Sequence, residues 1–399
     1  MNAFSVRSLA LASAALMAAC SGGSLNSIPS SAPATAIHAG AAGNVRAACG
    51  RVPTGYARCF ALIRTDVTPL RGVQSKVAGY GPSNLDSAYN LPSNVGQGQT
   101  IGIVDAFDDP NAESDLAVYR ANFSLPPCTT KNGCFLKVSQ SGSTKKFPRP
   151  DPGWAGEISL DLDMASAICP ECKIILVEAS TNRLISLGKS VDRAVSLGAN
   201  VVSNSYGGTG GGSSNSNYDH PGTVITASSG DSGYGYSSPC DYQTVVCIGG
   251  TSLRKGGGTR GWTESAWSGA GSGCPRLVAK PSWQTDKGCT HRSESDVSAV
   301  ADPNTGVAFY DTYPSGGWGV VGGTSVASPI IASVFALAEN ASSQHYAAGI
   351  WAAGGSSSLN DITTGSNGTC PKKYPYICNA GPGYDGPTGW GTPNGLGAF

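Results

Sequence analysis

The chain has 399 residues in which 26 Lys+Arg balance 26 Asp+Glu, so its formal net charge at neutral pH is zero. That balance excludes a charge-driven nucleic-acid partner, and the length suffices for a sizeable buried core in one large domain or two smaller ones. Only 13% of residues are charged, about half of the usual ~25%. A surface with few ionisable groups changes its charge little as pH falls, which suits an acidic milieu.

At the N-terminus Arg7 precedes an apolar stretch, residues 9–19, that ends in Ala18-Ala19-Cys20-Ser21. This is the layout of a secretory signal and is too short to span a membrane. Small residues directly before a Cys resemble a bacterial lipoprotein signal. Residues 1–20 would then be removed or processed, with Cys20 lipidated as the first mature residue and holding the protein on a membrane. Met17 is uncommon at its position in such a signal, so plain secretion is the other reading. Residues 21–78 read as a Ser/Ala/Gly/Pro-rich tether and short pro-segment. The run Cys59-Phe60-Ala61-Leu62-Ile63 is either part of that pro-segment or an extra strand.

Thirteen cysteines are odd in number, but setting Cys20 aside leaves twelve close neighbours: Cys49/Cys59, Cys128/Cys134, Cys169/Cys172, Cys240/Cys247, Cys274/Cys289 and Cys370/Cys378. Six local bridges in an oxidising compartment are expected. Zinc at Cys169-Pro170-Glu171-Cys172 would need a second ligand pair, and none stands at a familiar spacing.

From residue 79 onward the pattern is regular. Strands are expected at residues 100–105, 173–178, 200–205, 223–227 and 244–248, and helices at 111–121 and 154–168. Leu184, Leu187, Val191 and Ala194 keep helical spacing. Apolar strands alternating with helices imply one α/β domain, residues 79–399, built on a parallel sheet covered on both faces.

Three stretches carry chemistry. In the second half of the chain, Gly322-Gly323-Thr324-Ser325 leads into an apolar run through Ala338, with Pro329 about one turn in. Ser325 then sits at the N-terminus of a buried helix, where unpaired N–H groups stabilise negative charge on a nucleophile or its substrate. The plainer reading is a helix cap. In the 154–168 helix, Glu157 and Asp161 share one face, and burial with mutual repulsion would raise at least one of their pKa values into the range of a general base. None of the four His residues (His38, His220, His291, His345) has the sequence context of a serine-hydrolase base, so Glu157 is the expected base for Ser325, with Asp161 orienting it. The third stretch is Ser228-Ser229-Gly230-Asp231-Ser232-Gly233. A chymotrypsin-like reading with Ser232 as nucleophile conflicts with the parallel architecture. Asp231 at a strand's C-terminal end is better placed to donate, when protonated, to an oxyanion.

Together with Ser87-Ala88-Tyr89-Asn90-Leu91, Val202-Ser203-Asn204-Ser205-Tyr206-Gly207 and Asp296-Val297-Ser298-Ala299-Val300-Ala301-Asp302-Pro303, these motifs resemble, in order, those of the sedolisin (serine-carboxyl) peptidases. The resemblance implies a subtilisin-like three-layer fold with a central mostly parallel sheet and helices on both faces. It implies Ser325 as nucleophile, Glu157 as base and acid, Asp161 as its partner and Asp231 as oxyanion donor. It also implies one structural calcium ion (Ca2+) held by Asp361, Ile362, Gly381, Gly383 and Asp385, through two carboxylates and three backbone carbonyls. Residues 21–78 are short beside the large N-terminal pro-domain of that family. The expectation is therefore a monomeric, exported, acid-active serine endopeptidase acting on proteins or peptides. The alternatives are a catalytically silent, calcium-stabilised surface binding lipoprotein on the same fold, or an esterase with the same triad. Tyr206 is expected near the substrate edge.

Overall fold

In the computed structural model, which describes residues 44–93, 95–313 and 315–399, the strands are β1 (Val45–Ala47), β2 (Ala57–Cys59), β3 (Leu62–Arg64), β4 (Thr100–Ala106), β5 (Phe135–Ser139), β6 (Lys173–Ala179), β7 (Val201–Asn204), β8 (Tyr206–Gly208), β9 (Val224–Ser228), β10 (Val246–Lys255), β11 (Trp262–Ala266), β12 (Val297–Val300), β13 (Val307–Asp311) and β14 (Gly317–Gly322). The helices are α1 (Pro82–Tyr89), α2 (Ala112–Asn122), α3 (Pro152–Ile168), α4 (Leu184–Ser196), α5 (Thr324–Leu337) and α6 (Ala348–Ala353). Cys20 and His38 lie outside the described residues.

The central sheet has the order β11-β10-β9-β7-β4-β6-β5, with β12 also on β10. All its pairings are parallel except β10–β11 at one edge. Both faces are apolar because side chains alternate with period two. Ile101, Ile103, Ile174 and Leu176 pack in the core shared with α1, α2, α3 and α5, while Val104, Ala106, Ile175 and Val177 pack in the core shared with α4. Every residue of the strand run therefore meets a dry surface, which is why the sequence shows continuous rather than alternating apolar character. The expected three-layer α/β architecture is the observed one.

A second sheet, β1-β3-β14-β13, is antiparallel throughout, and β2 pairs antiparallel with β8. Both draw residues 45–64 onto the body of the fold. Sequence periodicity did not separate these strands, because each N-terminal one is only three residues long.

Two helices position the candidate site. α3 starts at Pro152, and the Asp151 side chain caps it by accepting from Gly153 N (3.0 Å) and Trp154 N (3.1 Å). From Trp154 to Ile168 every residue is buried, so this helix presents no solvated face. α5 is likewise buried along its whole length. Pro329 cannot donate to the Ser325 carbonyl four residues earlier, and that carbonyl instead accepts from Ser205 Oγ (3.3 Å). The proline thus frees a backbone acceptor that ties the start of α5 to the loop after β7.

The six expected bridges, Cys49–Cys59, Cys128–Cys134, Cys169–Cys172, Cys240–Cys247, Cys274–Cys289 and Cys370–Cys378, are the observed ones. Among the described residues no helix is long and apolar enough to cross a membrane.

Candidate active site

α3 and α5 bring three of the expected residues together in the interior. Glu157 and Asp161 stand one turn apart on α3, Ser325 is the second residue of α5, and all three are fully buried. Asp231 stands just beyond the C-terminal end of β9. Ser325 Oγ donates to the Ser205 carbonyl (3.1 Å) and accepts from the Phe60 N–H (3.1 Å). Glu157 Oε2 accepts from the Ala61 N–H (2.9 Å).

A fourth carboxyl joins them. Asp105 lies on β4 in phase with Ile101 and Ile103, so the strand's alternation turns it to the α3 side of the sheet. Burial pushes Glu157, Asp161 and Asp105 well above the usual carboxylate range. The charge of Asp161 adds to the effect on Glu157, that of Asp105 to the effect on Asp161, and those of Glu157 and Glu178 to the effect on Asp105. The Ser325 hydroxyl and Ala61 N–H oppose the rise at Glu157, and the Ser205 hydroxyl opposes it at Asp161. Glu157 Oε1 and both oxygens of Asp161 and Asp105 have no hydrogen-bond partner among the described residues. Like charges this close in a dry interior cannot all ionise, so the group retains protons.

Asp231 is held differently. Its Oδ1 accepts from Thr324 N (2.8 Å) and Thr324 Oγ1 (2.9 Å). Although the residue is partly exposed, its Oδ2 is buried without a partner among the described residues. Burial pushes Asp231 up to about 7, against the pull of the Thr324 hydrogen bonds and the Arg58 charge. Gly323 explains the space in front of it. With φ at +99°, a Cβ there would stand 1.8 Å from the Phe60 carbonyl oxygen and 2.6 Å from Asp231 Oδ2. Only a glycine leaves room for these two oxygens to crowd the same point.

The chain's own residues 57–61 thus run through this site. β2 lies antiparallel to β8, with Cys59 opposite Tyr206, and the Phe60 N–H also points to the Ser205 carbonyl (3.3 Å). The Phe60 ring packs where Gly207 and Gly230 lack side chains: a Cβ on Gly207 would approach it to 2.8 Å. Arg58 covers the ring at 5.5 Å and donates to Ser232 Oγ (2.8 Å).

Some expectations need refining. Tyr206 was expected near a substrate edge; its backbone on β8 pairs with Cys59 of β2, but its side chain is fully buried, donating to Asn204 Oδ1 (2.6 Å) beside Tyr218. Ser232 is exposed and bonded to Arg58, not to a base. None of the described His residues enters the site: His220 pairs with Asp192, His291 contacts Thr290 and His345 stacks on Tyr346. Reading the sequence missed Asp105, although its phase with Ile101 and Ile103 was visible there. It also missed the placement of Phe60 and Ala61, for which no local signal exists.

A model of the subtilase family matches residues 153–371, more than half of the chain. The chain belongs to the subtilase family. Within that family its motifs resemble those of the sedolisins, and the relatives agree. It is 28% identical over 367 residues to kumamolisin from Bacillus sp. (strain MN-32), covering 82% of this chain and 64% of that protein. To sedolisin from Pseudomonas sp. (strain 101) it is 26% identical over 365 residues, covering 79% of this chain and 60% of that protein. The chain thus spans less than two thirds of the length of either relative. A solved structure of Pseudomonas sedolisin complexed with two molecules of pseudo-iodotyrostatin shares the fold, with a TM-score of 0.66 and 24% identity over 80% of this chain and 96% of that one.

The residues expected to hold calcium also lie together in this subtilase. Asp361 Oδ2 accepts from Gly383 N (2.9 Å) and Asp385 Oδ2 from Gly381 N (3.2 Å). Asp385 Oδ1 is fixed by Thr388 N and Oγ1, both at 2.9 Å. Burial pushes Asp385 up to about 8, with the charge of Asp361 adding to it. Among the described residues the carbonyls of Ile362, Gly381 and Gly383 accept no hydrogen bond. Two carboxylates that repel each other, beside free carbonyl oxygens, form a donor set that fits a hard divalent cation. Glu294 near Cys240 and Cys247 is not comparable, since both sulfurs are joined in a disulfide.

Proposed function

We propose that this subtilase is an exported, acid-active serine-carboxyl endopeptidase. The observation that carries the reading is the pairing of Ser325 Oγ with one nitrogen, Phe60 N (3.1 Å), and Glu157 Oε2 with the next, Ala61 N (2.9 Å). A nucleophile and an acid–base group that flank one peptide bond are what peptide hydrolysis requires.

Ser325 attacks the carbonyl carbon while Glu157 takes its proton. Glu157 then passes that proton to the departing nitrogen, which occupies the place of Ala61 N. Asp161, backed by Asp105, makes Glu157 a stronger base because neighbouring negative charge holds a proton more tightly. Asp231 accepts from Thr324 on Oδ1, so its own proton belongs on Oδ2, facing the carbonyl oxygen as it becomes an oxyanion. Protonated, Asp231 donates to that oxygen; ionised, it repels it.

Hydrolysis of denatured protein, followed from about pH 3 to about pH 8, tests the reading. Turnover is expected to peak in acid, to fall as pH rises through about 7, where Asp231 ionises, and to drop to background in Ser325→Ala. A maximum above neutrality would contradict the mechanism. Absence of turnover in a folded, calcium-loaded sample would favour the silent binding protein, whose partner Ser325→Ala would still retain.

Export through residues 1–20, with Cys20 lipidated or the chain secreted, belongs to the same proposal and is supported by the six disulfides. One structural calcium ion would be held by Asp361, Asp385 and the carbonyls of Ile362, Gly381 and Gly383, tying the C-terminal loops together. A chelator is then expected to lower Tm on the order of 5 °C, as loss of a ligand that binds only the folded state does. Asp361→Asn should remove the calcium dependence of Tm; an unchanged melt with and without chelator would exclude the ion.

A further inference from the structure

We infer that Asn367 is a positioning residue for the candidate oxyanion donor: it clasps the loop that carries Asp231 to residues 270–272 and so sets where the Asp231 carboxyl stands. The inference rests on the peptidase reading above and assigns a part in it to a residue far along the chain.

The loop is fixed from outside. Beyond the end of β9, residues 229–237 form no regular strand. Gly271 N donates to the Gly230 carbonyl (2.8 Å) and Gly233 N to the Gly269 carbonyl (2.9 Å), while Gly235 and Ser272 exchange two backbone bonds (2.8 and 3.1 Å). Tyr234 N lies among these donors but turns to the Asn367 carbonyl instead (2.9 Å).

Asn367 grips both sides of that pairing. Its backbone carbonyl takes the Tyr234 N–H of the loop, and its side-chain Nδ2 donates to the Ala270 carbonyl (2.6 Å) and to Ser272 Oγ (2.8 Å) on the opposite segment. Ser272 Oγ gives its own proton to the Ile377 carbonyl (2.5 Å), so toward Asn367 it accepts. Two acceptors fix the amide with its donor end facing them. Its Oδ1 is left buried without a partner among the described residues, an unfavourable burial that a side chain serving stability alone would avoid. Gly233 lets the two backbones touch: with φ at +73°, a Cβ there would stand 2.4 Å from the Asn367 carbonyl oxygen.

Asn367 is itself anchored. Its N–H donates to the Cys378 carbonyl (3.0 Å), Ala380 N to the Gly365 carbonyl (3.0 Å), and Ala266 N at the end of β11 to the Thr364 carbonyl (2.8 Å). The Cys370–Cys378 bridge closes the loop between these contacts. Asp231 is thus held twice. Thr324 at the start of α5 fixes its Oδ1, and the clasp fixes the backbone two and three residues on. Together the two holds set the direction of Oδ2.

Loosening the clasp should let the loop drift and admit water. Misplacing a donor weakens the oxyanion bond. Hydration also removes part of the burial that pushes Asp231 up to about 7, so the carboxyl should ionise at lower pH. The charged groups that face Asp231 are Arg58 on β2 and Glu157 on α3. They bond to Ser232 and Ala61 rather than to Asn367, so their effect is common to the native sequence and the variants.

Peptide hydrolysis by Asn367→Ala, with the N-terminal segment out of the cleft, gives the test. kcat is expected to fall about ten- to a hundredfold with KM within about twofold, and the alkaline limb of the kcat profile should move down by about one pH unit. Ser272→Ala, which removes one of the two side-chain partners, should show the same changes to a smaller degree, and it decides the matter if Asn367→Ala does not fold. Added to Asp231→Ala, Asn367→Ala should have no further effect on kcat, as a residue acting through Asp231 requires. Unchanged kcat in the folded variants, an unmoved alkaline limb, or costs that multiply in the double variant would overturn the inference and leave the peptidase reading standing. No hydrolysis at any pH by the folded native sequence would overturn both.

Discussion

Glu157→Gln is expected to lower kcat by about four to six orders of magnitude while KM changes little, because the base acts as a unit with its nucleophile. The substitution keeps the shape of the side chain and an oxygen to accept a peptide N–H, so substrate should still bind. On the proposed mechanism, what disappears is the group that takes the Ser325 proton and returns it to the leaving nitrogen. Asp231→Ala is expected to cost less, about two to three orders of magnitude in kcat, the usual effect of deleting one oxyanion donor. The ranking is diagnostic. If Asp231 were instead the base, it would be the more sensitive position, and Glu157→Gln would act mainly by removing one bond to the peptide. Both measurements require the N-terminal segment to be out of the cleft, so kcat should be taken on chains from which it has been removed by an added protease. Circular dichroism must show that each variant remains folded, since a fully buried carboxyl borders both the catalytic group and the core.

The elements that depend on local pattern were legible. α3 and α5 are long, apolar and punctuated by Pro152, Pro329 and paired glycines, and the carboxyl pair on α3 follows from spacing alone. The strands β4, β6, β7 and β9 begin and end within about two residues of expectation, the ordinary uncertainty of element boundaries, because continuous β-branched runs leave few other choices. Asp105 required one more step: its phase with Ile101 and Ile103 was in the sequence, but which face of β4 meets α3 was not. The hairpin β13–β14 and the N-terminal strands could not be read, since β3 depends on β14 and β2 on β8, both far along the chain. Phe60-Ala61-Leu62-Ile63 reads as a short apolar run anywhere, and only its neighbours make it an occupant of the cleft. For the calcium loop, Asp361 and Asp385 were named by resemblance. Their proximity and free carbonyls are physical features that composition does not contain.

Stability is expected to be greatest in acid and to fall toward neutrality. Asp109 shows why. It is buried, accepts from Asn111 N (2.9 Å) and Ser159 Oγ (3.1 Å), and lies near Asp115 and Asp311. Burial, with the charges of Asp311 and Asp115 adding, pushes it up to about 7 despite those bonds. Asp163 is raised well above the carboxylate range by burial and by the same acidic neighbours, although it accepts from Tyr310 N (2.7 Å). In the unfolded chain both would titrate near the ordinary ~4. Between about pH 4 and about pH 7 the folded chain therefore binds more protons than the unfolded one, and the unfolding free energy declines as pH rises. Below that window both states are protonated and the stability is fully present. Above it, these groups must ionise in the interior or stay protonated at increasing cost. Each tenfold difference in proton affinity corresponds to about 1.4 kcal/mol, so several such groups together should lower Tm by roughly 10 °C across the window. The melts should be taken with saturating calcium, on Ser325→Ala to prevent digestion. Asp109→Asn, which cannot ionise, should flatten part of the slope and lose less stability at neutral pH than in acid. A Tm that rises between about pH 4 and about pH 7 would mean that these carboxyls are ionised and paired in the folded chain, and with them the premise that its interior is built to work protonated would fall.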